Sequence, residues 1–254
     1  MKKIYLFLSL FVLVTTNTLQ AQNDSIYLWK AGVLIAKRSI KPANLDSISF
    51  KKPAHFISSV TICTQTWMLK NLDVSTYSDG TVIPQVTDPT AWAALTTGAW
   101  CYYNNDPFWG TLYGKLYNWY AVAGIYNAAS LANPALRKKL APTGWHVPTD
   151  VEWTTLENCL GGYVIAGGQM KETGNGHWSI PNNASNSSGF TALPGGDRFD
   201  SGSFHSISNI CNLWSSSEND AVNAWKRSLI NDIMYVSRNY SNMNSGFSVR
   251  CIMD

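Results

Sequence analysis

No cysteine precedes Cys63, and the five that occur, Cys63, Cys101, Cys159, Cys211 and Cys251, lie too far apart to form a CxxC pair. A zinc ribbon or thioredoxin-like centre therefore lacks ligands at the usual spacing. The four histidines, His55, His146, His177 and His205, are also scattered, without the HxxxH or HExxH spacing that sets two imidazoles on one helix face. The chain has no GxSxG elbow for an activated serine and no GxxxxGK[ST] loop for phosphates, and no pair of its carboxylates is spaced for glycoside hydrolysis. Charge is scarce: Asp, Glu, Lys and Arg make up 14% of the residues, and the formal net charge is +3. Lys2 and Lys3 supply two of those charges, so the rest of the chain is nearly neutral and nucleic acid is not an expected partner.

Long apolar runs are rare too. The exception is Ile4 to Val14, preceded by Lys2 and Lys3 and followed by small or polar residues up to Leu19-Gln20-Ala21. A spanning helix needs about 20 apolar residues, so the run is too short and reads as a secretory signal peptide cleaved after Ala21. The mature chain is expected to be exported, whether secreted, periplasmic or at the cell surface, with no transmembrane segment after cleavage. With no cysteine near the cleavage point, a lipid anchor has no acceptor there.

What is abundant is aromatic and apolar: 11 Trp, 12 Tyr and 9 Phe, within a hydrophobic fraction of 45%, which indicates a packed core rather than disorder. The most informative stretch is GWHVPTDVEWTTLENCLGG, Gly144 to Gly162. Thr149 and Glu152 have the spacing of a capping box, and Asp150 adds favourable charge to the first turn. Val151, Trp153, Leu156, Cys159 and Leu160 then supply an apolar stripe that Gly161 and Gly162 end. A helix buried on one side is expected here, with His146 as a hydrogen-bonding residue in the turn before it.

Around that helix the pattern is irregular. Ile26 to Trp29 and Val33 to Ile40 read as a hairpin around Lys30-Ala31-Gly32, LDSISF over Leu45 to Phe50 as a third strand, and Lys51-Lys52-Pro53 as a linker. The expected division is a signal over residues 1–21, a small β segment over 22–53, and a main domain over 54–254. In that domain Val60 to Leu69 reads as a strand or a strand pair, and Asp88-Pro89 opens a short helix over Ala91 to Leu95 that Gly98 closes. LYGKLYNWYAV, Leu112 to Val122, fits either a helix with Leu112, Leu116, Trp119 and Tyr120 inward or a strand; Pro134 to Lys139 reads as a basic helical turn. Gly161 to Gly189 reads as long loops, and Gly195-Gly196 as a tight turn. Strands are expected at Phe190–Leu193, Leu213–Ser216, Ala224–Ile230, Ile233–Arg238 and Phe247–Ile252, with a hairpin turn at Asn231-Asp232. Helices early and strands late, without strand–helix alternation, indicate an α+β fold. For the cysteines, two bridges with a leftover thiol and buried reduced thiols both stay open; the first pairing to consider is Cys159 at the helix end with Cys251 in the terminal strand.

Six stretches carry a resemblance: TQTWMLKNLDV from Thr64, WCYYNND from Trp100, LYGKLYNWYAV from Leu112, PTGWHVPTDVEWTTLE from Pro142, GFTALPGGDR from Gly189 and GFSVRC from Gly246. Together, over residues 57–254, they resemble the Fibrobacter succinogenes major paralogous domain, a secreted domain abundant in Bacteroidetes-type bacteria. The resemblance implies a fold similar to formylglycine-generating enzymes and to C-type lectins, with two main helices, short antiparallel sheets and long loops. In this sequence Cys63 stands where the family usually has glycine, and Ala141 where a cysteine commonly precedes the proline. Formylglycine-generating chemistry needs a reactive cysteine pair near the C-terminal strands, and Trp225 to Phe247 contains no cysteine, so an enzyme of that type is not expected.

Candidate ligand-binding residues are those that break the core pattern. Trp109 and Trp178 sit among polar or glycine residues and are the tryptophans free to stack on a sugar ring, with His177 beside the second; at least seven of the 11 tryptophans are expected in the core. Asn104, Asp106, Glu218 and Asp220 supply oxygens of the kind calcium takes, although the Glu-Pro-Asn, Gln-Pro-Asp and Trp-Asn-Asp strings of calcium-binding lectins do not occur. No cofactor is otherwise expected. The resulting expectation is an exported, non-enzymatic binding module that presents loops to a glycan or protein partner. The alternative is a structural or assembly protein of the envelope, pairing through its N-terminal strands.

Overall fold

The computed structural model describes residues 57–254 throughout and, before them, the strands β1 (Ser25–Lys30) and β2 (Val33–Ser39). These two strands pair antiparallel in a sheet of their own, as the runs flanking Lys30-Ala31-Gly32 suggest. The signal, the LDSISF strand, the linker and His55 lie outside the described residues. Contacts along the chain divide it between Phe56 and Ile57.

In the second unit, β3 (Ser59–Ile62) and β4 (Gln65–Met68) pair antiparallel, so the Val60–Leu69 run is a strand pair rather than one strand. Helix α1 (Pro89–Ala93) starts as predicted, with Pro89 in the first turn and the Asp88 carboxylate accepting from the Ala91 N–H at 2.7 Å. The LYGKLYNWYAV stretch is neither one helix nor one strand. It is divided among the end of α2 (Pro107–Tyr113), a two-residue strand, and α3 (Trp119–Val122). Gly114 at φ 74 ends α2, and the Asn118 side chain caps α3. The strand between them pairs with β5 (Trp100–Cys101) and is β6 (Leu116–Tyr117). Leu112, expected inward, is 37% exposed, whereas Leu116 and Trp119 are buried. After α4 (Ala128–Ala132) the basic segment makes a 3-10 turn over Pro134–Leu136.

Strand β7 (Trp145–His146) leads into α5 (Asp150–Cys159), the helix marked by the capping box. Thr149 Oγ1 accepts from the Glu152 N–H at 3.2 Å and Glu152 Oε2 accepts from the Thr149 N–H at 2.7 Å. The other Glu152 oxygen lies 2.8 Å from His146 Nε2, and His146 Nδ1 lies 2.8 Å from Asp254 Oδ1, so the imidazole ties the helix start to the last residue. The buried stripe is Trp153, Leu156 and Leu160 with Glu157; Val151, expected in it, is 72% exposed. Next comes α6 (Tyr163–Met170), where the sequence suggests only loop. Gly167 and Gly168 lower its helix propensity, but a Cβ at Gly167 would lie 2.6 Å from the Tyr235 carbonyl, so close packing requires the residue that obscures the helix.

The large sheet contains β8 (Gly195–Arg198), β9 (Phe204–Ile207), β10 (Ile210–Glu218), β11 (Asn223–Ile230) and β12 (Ser237–Asn242), in the order β12-β11-β10-β8-β9. A second sheet, β3-β4-β13-β7, is completed by β13 (Ile252–Met253). With several sheets and few helices the fold is α+β. Four sequence expectations need correction. Gly195-Gly196 is strand rather than turn. Phe190–Leu193 is loop, with Thr191 at φ 56 and a single bridge from Ala192 to Lys171. The β11–β12 connection runs over 231–236 instead of turning at Asn231-Asp232, which delays the last long strand to Ser237. Phe247–Ile252 is mostly extended chain with isolated bridges at Phe247 and Ser248.

Among the described residues eight tryptophans, Trp67, Trp92, Trp100, Trp119, Trp145, Trp153, Trp178 and Trp214, are buried. Trp67 on β4 packs on Trp153 of α5 with ring centroids 4.7 Å apart and meets Phe190 edge-on at 5.6 Å, joining the small sheet to the helix. The same junction carries the disulfide, and its pairing differs from the expected one: Cys159 bonds Cys63, while Cys251 is a free, buried thiol. The β3–β4 turn brings Cys63 to the end of α5, with Cα atoms 6.6 Å apart. Cys63 holds φ 51, the left-handed conformation that favours glycine, so the cross-link replaces backbone ease at this turn. The bridge closes a loop with sequence separation 96. Its removal in a Cys63→Ser, Cys159→Ser double variant is expected to lower the unfolding free energy by about 2–5 kcal/mol, read as a lower urea midpoint; an unchanged midpoint would contradict the structural role.

Candidate functional site

The sequence candidates converge, in part, on helix α2. Pro107 sits in its first turn and Asp106 Oδ1 accepts from the Phe108 N–H at 2.9 Å, so this carboxylate is used in capping the helix. One turn in, Trp109 is half-buried and lies parallel to Tyr113, four residues on, with centroids 5.8 Å apart and planes 12° apart. Tyr103 and Phe108 meet its ring edge-on at 6.2 and 5.0 Å. Tyr113 in turn faces His177 at 6.0 Å, and His177 Nδ1 lies 2.7 Å from Glu172 Oε2. The chain thus builds a ledge from two sequence-distant segments: Trp109, His177 and Glu172 are half-buried, and the buried Tyr113 joins the tryptophan to the histidine.

Beside the ledge, the neighbouring face of α2 borders a cleft of about 290 Å³ lined by Lys70, Asn71, Asp73, Thr111, Leu112 and Glu172, with Arg250 also in the wall. Its walls are held tightly. Asn71 Nδ2 donates to the Tyr113 carbonyl at 2.9 Å, and the Leu72 carbonyl accepts from the Lys115 N–H at 3.2 Å. Lys115 is buried, bonds Asp73 through its carboxylate and its carbonyl, and lies 4.5 Å over the Trp100 ring. Arg250, fully buried, donates to Asn71 Oδ1 at 2.9 Å and to the Met68 and Phe190 carbonyls at 3.0 and 2.8 Å. The cleft therefore presents carboxylate, amide and hydroxyl groups fixed by second partners, and it shares helix α2 and Glu172 with the ledge.

The remaining candidates lie elsewhere or are committed. Trp178 is 1% exposed; its Nε1 donates to the Ala192 carbonyl at 3.1 Å, and its ring takes the Lys171 ammonium at 5.4 Å, so it is core and not a stacking surface. Its glycine-rich neighbours, Gly174 and Gly176, are exposed, while the ring itself packs in the core. Asn104 is exposed at φ 52 in the 3-10 turn before α2. Glu218 pairs with Arg137 at 3.2 Å, and Asp220 closes the β10–β11 connection by accepting from the Val222 and Asn223 N–H groups at 2.9 Å each. The Asn223 side-chain bond and those backbone bonds hold the Asp220 carboxyl below its usual range. Among the described residues no three His, Cys, Asp or Glu side chains come together to hold a metal ion. Cys101, Cys211 and Cys251 are buried, and desolvation pushes each thiol up to about 12, the reverse of an activated cysteine.

Asn71, Asp73, Glu172 and Arg250 escaped the sequence reading. The available signal was a run of polar residues in KNLDV and an arginine inside the otherwise apolar GFSVRC. Among the described residues, no helix is long and apolar enough to cross a membrane. Gly114 fixes the cleft: it holds φ 74, and an added Cβ would lie 2.8 Å from the Leu72 carbonyl. Gly114→Ala is expected to cost roughly 1–3 kcal/mol from this glycine-favouring backbone, φ 74 with ψ −159, measured by urea unfolding; no loss would show that α2 can end differently.

Compared with known sequence families, residues 60–253 match the model described as the Fibrobacter succinogenes major domain. No curated protein and no solved structure matches the chain.

Proposed function

The chain belongs to the Fibrobacter succinogenes major domain family, and from that premise we propose that it is an exported, non-enzymatic binding module that takes a glycan on the Trp109 ledge and its cleft. The observation that carries this reading is that helix α2 carries both a half-buried tryptophan, stacked on Tyr113, and one border of a cleft walled by fixed amide, carboxylate and hydroxyl groups. A sugar ring offers both an apolar C–H face and a rim of hydroxyls, which is the complement of that arrangement. Side chains held by second partners lose little freedom when a ligand arrives. Export is supported by the signal-like start and by a disulfide, which persists in oxidising compartments. The finer fold relation, to formylglycine-generating enzymes and C-type lectins, belongs to the same reading: short sheets and long loops around two helices. The absence of an activated thiol among the free cysteines speaks for binding rather than that enzyme chemistry.

A second reading, assembly in the envelope, is favoured by one observation: β1 and β2 form a two-stranded sheet that no further described strand joins. A glycan array probed with the purified chain separates the two. The binding reading predicts specific signal that Trp109→Ala reduces about fivefold or more, in keeping with about 1–3 kcal/mol for a lost aromatic stacking contact, and that survives deletion of residues 22–53. A blank array, with assembly lost on that deletion, contradicts it and supports the second.

A further inference from the structure

Three strands of the large sheet direct polar side chains into one spot. Asp197 on β8, Asn212 on β10 and Ser228 on β11 are 3%, 4% and 6% exposed, and partly buried Lys226 on β11 reaches in among them. The register accounts for this. Asn212 pairs with Ser228 and Trp214 with Lys226, so all four share one face of the sheet. Strand β8 runs beside β10 with Gly196 paired to Cys211, which brings Asp197 next to Asn212.

The contacts centre on the Asn212 amide. Lys226 Nζ lies 2.8 Å from Asn212 Oδ1 and 2.8 Å from Ser228 Oγ. Ser228 Oγ donates to the same Oδ1 at 2.6 Å, and Asn212 Nδ2 donates to Asp197 Oδ2 at 2.8 Å. Asp197 Oδ1 is buried with no hydrogen-bond partner. Aromatic rings cover the site: Phe247 lies 5.0 Å from the lysine nitrogen and packs on Trp214 at 4.4 Å. A carbonyl polarised by a hydroxyl, an amine at contact distance and a carboxyl on the departing nitrogen are the parts of an acyl transfer.

We propose that Lys226 and Asn212 join in an intramolecular isopeptide bond, with Asp197 moving the protons. The Nζ lone pair of the neutral amine attacks Asn212 Cγ, and the carbonyl electrons move onto Oδ1, where the Ser228 hydroxyl stabilises them. The carboxyl of Asp197 protonates Nδ2, and its carboxylate takes up a proton from Nζ. The Cγ–Nδ2 bond then breaks, ammonia leaves, and the carbonyl reforms as a secondary amide. Asp197 ends in the protonation state in which it began, and the step needs no oxidant, cofactor or co-reactant. Burial shifts both groups toward the required proton states: it pushes the Lys226 ammonium down to about 8 and raises the Asp197 carboxyl above its ordinary value. A desolvated lysine is a competent nucleophile, and the sheet holds it against its target, replacing a chance encounter with a fixed approach. The product would lock β10 to β11 covalently beside the disulfide-linked half of the domain.

Peptide mapping of the folded full chain by mass spectrometry tests this. Trypsin cuts after Arg198 and Arg227, and Glu218 lies between Asn212 and Lys226, so a further cut after Glu218 separates the two residues unless they are bonded. The expected result is that segments 199–218 and 219–227 remain joined, with Lys226 uncut and the pair lighter by one ammonia than the two segments bonded to nothing. Recovery of separate segments with intact Asn212 and Lys226 overturns the proposal. An Asp197→Asn variant whose circular dichroism matches the parent is expected to remain unlinked; linkage at the parental yield would remove Asp197 from the reaction. Lys226→Arg, which keeps the charge but cannot form the amide, provides the unlinked reference for either outcome.

Discussion

Much of this fold depends on satisfying backbone carbonyls that no ladder or helix can reach. Long irregular segments bury their peptide groups, and a buried carbonyl without a donor is costly. Cations at zero or near-zero exposure supply the missing donors. Arg198 donates to the carbonyls of Val86, Thr87 and Gly202 at 2.6, 2.8 and 3.0 Å. Lys171 gathers those of Ile230, Asn231 and Ile233 at 2.6, 2.5 and 2.9 Å. Arg250 takes those of Met68 and Phe190. Arg227 works on α5 instead, bonding Glu157, the Asp150 carboxylate at 2.7 Å, the Asp150 carbonyl at 3.1 Å and Thr154 at 3.1 Å. A low overall charge thus conceals a few charges placed where removing one would leave several polar groups unpaired.

The candidate site depends on the same arrangement. Arg250 fixes Asn71 while tying the β4 end to the Phe190 loop, and Lys115 fixes Asp73 against α2. The polar wall of the cleft is therefore made by groups whose orientation is set from behind, and the Trp109–Tyr113 stack does the same for the aromatic face. Binding by loops requires such support, because a loop free to rearrange would lose its freedom at the ligand's expense.

The elements legible in the sequence were those with local causes. Thr149 and Glu152, Asp88 and Pro89, and the Val60–Leu69 strand pair each carry their own signal within four to ten residues. The misses have tertiary causes. Helix α6 is disguised by glycines needed for contact with Met234 and Tyr235, and the β8 glycines read as a turn although they pair with β9 and β10. Cys159 was placed with the wrong partner because the distance from the β3–β4 turn to the end of α5 is a property of the fold rather than of spacing. At the site, Trp109 and His177 stood out because their neighbours are polar, and the structure joins them through Tyr113. The identical signal misled at Trp178, since a glycine-rich context flanks exposed and buried rings alike.

The central claim is that a frame pinned by buried cations carries the ledge and cleft as rigid features. Native-state amide hydrogen exchange tests it most directly. The account predicts that α5, β10 and β11 exchange only through global unfolding, and that the segments around Asn71–Asp73 and Phe190, held by Arg250, are protected nearly as well despite their irregular backbone. Rapid exchange at 68–73 and 190–193, with α5 still protected, would contradict it and would make the cleft a mobile feature of the surface.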